Sequence, residues 1–217
     1  MSVKKLALII ALALMLIPGA AFAGTIYVDN FSFETLPNGG LNYGCGGSCA
    51  FSLDSPIPGW NATGTYGQFI PGGYGGNPNA YDGSVLAYSN GGTISQTVGP
   101  EAIAGETYTL SVEVLTRTDK SQDASVQLEF GGSVCGTAPV VNAGPGTWND
   151  FTVSCTATGA QAGDSITILL TTQGLGQGDY DDVQLSSVPE PSVLLLLTLG
   201  LLGLCSGWFG KSRTAAI

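Results

Sequence analysis

The chain has 217 residues, 6 basic and 16 acidic side chains, no histidine, and a formal charge of −10 at pH 7. Without histidine it lacks Ser-His-Asp and Cys-His catalysis, His-ligated zinc and the usual general base near neutrality. The acidic balance repels nucleic acid and anionic membrane surfaces, leaving a binding or structural role, cation binding, or chemistry by paired carboxylates.

In chain order, the first predicted element is a secretory signal peptide over residues 1–23. Lys4 and Lys5 precede an apolar stretch from Leu6 to Ile17, Pro18 and Gly19 end it, and Ala21 and Ala23 are the small residues that signal peptidase reads. Cleavage is expected after Ala23. The body, 24–187, has a length suited to one domain. It holds two basic residues, Arg117 and Lys120, against fifteen acidic ones, a balance of about −13.

The body reads as β structure. Thr25–Val28 is a first strand candidate, followed between Thr35 and Gly92 by a loop-rich stretch of glycine, asparagine and aromatic residues. Ser84–Tyr88 and Thr93–Val98 are further candidates. From Thr107 the pattern has period two: Tyr108, Leu110, Val112 and Val114 share one face, and Ala124, Val126, Leu128 and Phe130 repeat it. Phe151, Val153 and Cys155 alternate likewise, and Ser165–Thr171 and Asp182–Leu185 complete eight or more strands. No stretch reads as a long helix. The expected fold is all-β, an antiparallel β-sandwich with the jelly roll as leading topology.

Four exported cysteines, Cys45, Cys49, Cys135 and Cys155, favour disulfides. Of three pairings, Cys45 with Cys49 and Cys135 with Cys155 are favoured, the second worth about 3 kcal/mol in the chain-entropy model. A four-cysteine metal site is the rival, without paired C-x-x-C spacing. Cys205 falls in the apolar tail.

The chain ends with Val188-Pro189-Glu190-Pro191, an uncharged run over 192–209, then Lys211 and Arg213. Eighteen residues rise about 27 Å as a helix, close to the roughly 30 Å hydrocarbon core, so 192–209 is a predicted transmembrane segment. The basic residues leave the tail cytoplasmic and the body outside. Residues 188–217, with Pro189-Glu190-Pro191 at their head, resemble the PEP-CTERM sorting signal of Gram-negative bacteria. That resemblance implies processing by exosortase and delivery through the inner membrane to the outer surface or extracellular matrix. Whether the tail is discarded or retained as an anchor stays open.

Asp29-Asn30-Phe31-Ser32-Phe33-Glu34 and Asp181-Asp182-Val183-Gln184-Leu185 resemble the first and last strands of galactose-binding-like jelly rolls, the fold of many carbohydrate-binding modules. Pro56-Ile57-Pro58-Gly59-Trp60 is similar to the Pro-Gly-Trp after their first strand. The resemblance implies a structural calcium between the terminal strands, held by Asn30 or Glu34 with Asp181 or Asp182. The alternative for these acids is a solvated turn, and Asp181 shares parity with Val183 and Leu185.

Rings beside amides can stack on sugar faces. Trp60, Tyr74, Tyr81 and Asn79 are the candidates, against the alternative that the rings cover the sandwich edge. The function expected is that of a non-catalytic, exported surface or matrix protein binding extracellular polysaccharide. The alternatives are a structural protein held by disulfides and calcium, and a carboxylate-based glycoside hydrolase.

Overall fold

The computed structural model of the chain describes residues 23–118, 124–139, 144–172 and 176–189. The predicted signal peptide up to residue 22, with Ala21, and the predicted span 192–209, with Glu190 and Pro191, lie outside the described residues. Among the described residues, no helix is long and apolar enough to cross a membrane.

Among the described residues, eleven strands follow in order: β1 (Gly24–Ile26), β2 (Tyr43–Gly46), β3 (Cys49–Phe51), β4 (Asn61–Ile70), β5 (Leu86–Glu101), β6 (Glu106–Thr116), β7 (Ala124–Phe130), β8 (Ser133–Pro139), β9 (Thr147–Thr156), β10 (Ser165–Thr172) and β11 (Gly178–Pro189). Hydrogen bonding orders one layer as β2-β3-β4-β5-β10-β7-β8 and joins β1, β11, β6 and β9 into the other. The layers are stitched where Gly178–Tyr180 of β11 pairs with Ala87–Ser89 of β5. At the other side β8 and β9 end their layers without a ladder between them, and there Cys135 is bonded to Cys155.

Period-two alternation explains the core. On β6, Tyr108, Leu110, Val112 and Val114 point inward, while Thr107, Thr109, Ser111 and Glu113 stay on the outer face. Val126, Leu128 and Phe130 from β7 and Ile166, Ile168 and Leu170 from β10 fill the facing positions. Each such side chain contributes about 1.5–3 kcal/mol by leaving water. Core and both disulfides lie within the compact unit Ala23–Val188, which carries what it needs to fold alone.

The stretch expected to be loop-rich instead carries β2, β3, β4 and the start of β5, and the two strand candidates Ser84–Tyr88 and Thr93–Val98 fall largely in the single strand β5. Two of its glycines, Gly64 and Gly67, are strand residues at close approaches. A Cβ at Gly67 would collide with the Ser52 carbonyl, and one at Gly64 with the Gly91 carbonyl. Strand β8 is likewise absent from the sequence reading.

Candidate functional site

The outer face of the β1–β11–β6–β9 layer is built from the polar half of each alternating strand. Thr25 and Tyr27 project from the β1 segment, Asp182, Gln184 and Ser186 from β11, and Thr109, Ser111 and Glu113 from β6. A groove of about 430 Å³ runs over this face, lined among others by Thr25, Tyr27, Phe31, Thr109, Ser111 and Gln184. Tyr27 is 76 % exposed at one wall, its hydroxyl donating to Asp29 at 3.2 Å, and Phe31 is exposed beside it.

Beyond the groove along β6 and β9 lie three carboxylates and two rings. Glu113 and Asp150 stand directly opposite in the β6–β9 register. The Glu113 carboxyl is held above the usual carboxylate range by burial, reinforced by the charges of Asp150 and Asp182 against the pull of the Tyr81 hydroxyl. The Glu113 carboxylate in turn raises the Tyr81 hydroxyl. Tyr81 and Trp148 meet edge to face at 6.0 Å, and the Trp148 indole N–H donates to the Asn79 carbonyl at 3.0 Å, which fixes the ring plane. Three bonds tie this end to the groove: Ser111 donates to Asp150 Oδ1 at 2.6 Å, and Gln184 Nε2 donates to both Asp182 oxygens at 3.0 and 2.9 Å.

The loop that presents Tyr81 is clamped by two acids, the buried Asp181 and the exposed Glu34. Asp181 Oδ2 accepts the amides of Tyr81 and Asp82 at 2.8 and 3.0 Å, and its Oδ1 accepts that of Asp182 at 2.8 Å. Glu34 Oε1 accepts the amides of Ser84 and Val85, each at 2.7 Å. Asn30 bonds the Thr35 amide and the Pro58 carbonyl, both at 2.9 Å. Among the described residues, no group of three or more acidic or cysteine side chains is placed to hold a metal. The calcium expected between the terminal strands at Asn30, Glu34, Asp181 and Asp182 is tested by dialysis against EDTA, a fall in melting temperature supporting the ion and an unchanged value counting against it.

Asp181 is fully buried, and burial pushes its carboxyl up to about 7 against the pull of its three amide donors. The folded state therefore binds a proton more tightly than the unfolded chain, whose ordinary value is 3.8. Stability from this group is complete below that value and is lost as pH rises through about 7. Asp181→Asn is expected to flatten the melting temperature between pH 4 and 8; an unchanged slope would place the titration elsewhere.

The sugar-stacking candidates divide. Tyr81, 52 % exposed, and Asn79 stand with Trp148. Trp60 is corrected: it is 7 % exposed, packs on Phe33 at 5.2 Å and donates to the Asn30 carbonyl at 3.2 Å, so its faces serve the core. Tyr74 lines a separate cavity of about 170 Å³ with Phe51, Phe69, Tyr88 and Arg117. Cys45 is bonded to Cys49 in the β2–β3 hairpin. Pro189 ends β11, whose Ser187 pairs with Gly24. The sequence reading missed Tyr27, Phe31, Glu113, Trp148 and Asp150; the outward parity of Glu113 and of Asp150 within their strands was the available signal.

Residues 24–186 match the HpiC1-like family, described as HpiC1 cyclase, and residues 187–211 match the PEP-CTERM protein-sorting motif. Three solved structures share the fold, each at 20 % identity. They are an apo cyclase from Fischerella sp. (78 % of this chain, 97 % of that one, TM-score 0.60); a cyclase from Fischerella sp. TAU (78 %, 98 %, 0.62); and a Stig cyclase, Fisc, from Fischerella sp. TAU in complex with (3Z)-3-(1-methyl-2-pyrrolidinylidene)-3H-indole (77 %, 99 %, 0.63). No curated protein sequence matches the chain. The cyclase matches set a catalytic family against the expectation of a non-catalytic body.

Proposed function

The chain belongs to the HpiC1-like cyclase family and ends in a PEP-CTERM sorting motif, the mark of an exported, exosortase-processed envelope protein, and from that premise we propose that it binds extracellular polysaccharide in the groove over β1, β11 and β6. One observation carries the reading. A strip of hydroxyls and an amide, from Thr25, Thr109, Ser111, Gln184 and Ser186, runs beside the exposed rings of Tyr27 and Phe31 and leads toward Tyr81 and Trp148. A sugar ring offers C–H groups to such rings and hydroxyls to such a strip. Along β11, from Ser186 to Asp182, the face extends about 13 Å at strand rise, enough for a short run of sugar units. Affinity electrophoresis of the 24–188 domain through gels containing soluble polysaccharides tests it. Retardation by at least one polymer, relieved by Tyr27→Ala, supports the reading; free migration through all of them overturns it.

The family match favours a second reading, in which Glu113 is a proton donor. Burial keeps its carboxyl above the ordinary range, and it lies beside rings that can hold an unsaturated ligand. Titration with the indole compound bound by the Fischerella cyclase separates the readings. Binding that Glu113→Gln leaves intact while it abolishes turnover supports catalysis, and absence of binding counts against it.

A further inference from the structure

The three carboxylates beyond the groove are not solvated acids at random positions. Glu113 and Asp150 are direct cross-strand neighbours, an arrangement that is unfavourable for like charges, and Asp182 adds a third charge felt at Glu113. Among the described residues, the only basic side chain is Arg117, which lies over Phe69 and lines the other cavity. Beside the acids stand the Tyr81 and Trp148 rings, and ring faces attract cations. The groove and this acidic end form one continuous surface through Ser111–Asp150 and Gln184–Asp182.

From this charge complementarity we infer that the polysaccharide is cationic: a polymer of amino sugars with free, protonated amines, whose ammonium groups sit against Glu113, Asp150 and Asp182 while neighbouring sugar rings occupy the groove. The inference rests on the polysaccharide reading and narrows it. An organic ammonium suits this end because the paired rings offer flat apolar contact beside the acids.

The probes are fully deacetylated glucosamine oligomers and their N-acetylated counterparts, titrated calorimetrically into the 24–188 domain at pH 6. The deacetylated oligomer is expected to bind about tenfold tighter, with the advantage fading as salt rises. Glu113→Gln with Asp150→Asn removes the advantage. Glu101→Gln with Glu129→Gln, which removes two acids from the other layer, leaves it. Equal affinity for the two oligomers overturns the cationic ligand and leaves saccharide binding standing. Equal losses in both double variants mean diffuse attraction to an acidic protein, and also overturn it. No binding of either oligomer, together with free migration in every polysaccharide gel, defeats both readings. The glutamine and asparagine pair also tests folding: relief of the cross-strand repulsion is expected to raise the ligand-free melting temperature.

Discussion

Trp60→Ala is expected to lower stability by about 3–5 kcal/mol, the range for deleting a buried aromatic side chain. Trp60 is buried, packs tilted at 5.2 Å against the fully buried Phe33, and donates its indole N–H to the Asn30 carbonyl at 3.2 Å. Truncation opens a cavity and strands that carbonyl, in a protein whose total stability is of order 5–15 kcal/mol. The comparison is Tyr81→Ala, whose ring is half exposed and whose loss is expected to change stability by only about 0.5 kcal/mol. Urea unfolding followed by circular dichroism measures both. In ligand binding the order reverses, Trp60→Ala leaving the affinity of the folded fraction unchanged and Tyr81→Ala weakening it. Equal stability losses in the two variants would undo the assignment of Trp60 to the core.

Replacing Cys135 and Cys155 by serine is expected to cost about 3 kcal/mol, the chain-entropy value for a loop of this size. The bridge spans 20 residues and joins β8 to β9, strands that end their respective layers and share no ladder. The Cys45–Cys49 bridge spans 4 residues inside a hairpin that is already hydrogen-bonded, so its removal has a smaller effect. The same ranking is expected when the domain is unfolded with and without reductant. A larger loss from Cys45 and Cys49 would contradict it.

The second half of the domain was legible because its strands are half buried. The alternation Tyr108, Leu110, Val112, Val114 against Thr109, Ser111 and Glu113 states which face goes inward, and the structure follows it residue by residue. Between residues 43 and 70 the same information is diluted. Gly64 and Gly67 sit in β4 because neighbouring carbonyls approach too closely for any side chain, and in sequence such glycines imitate a loop. The candidate site was legible only in part for a related reason. Tyr81 and Asn79 stood out in a polar stretch, but Trp148 pairs with Tyr81 through tertiary placement that no local pattern records. Trp60 misled because a ring beside a Pro-Gly turn looks exposed until Phe33, 27 positions earlier, is seen packed against it. Glu34 and Asp181 were recognised as paired in purpose, and both accept backbone amides of the 81–85 loop, contacts that no local pattern records.

The central claim is that ligand is held on the outer face of β1, β11 and β6, and amide chemical-shift mapping of the 24–188 domain with a bound oligosaccharide tests it most directly. The expected result is a contiguous set of shifts at Thr25, Tyr27, Thr109, Ser111 and Gln184, extending to Tyr81 and Trp148. Shifts confined to the cavity around Tyr74 and Arg117, or to the outer face of β5, β10 and β7, would contradict it.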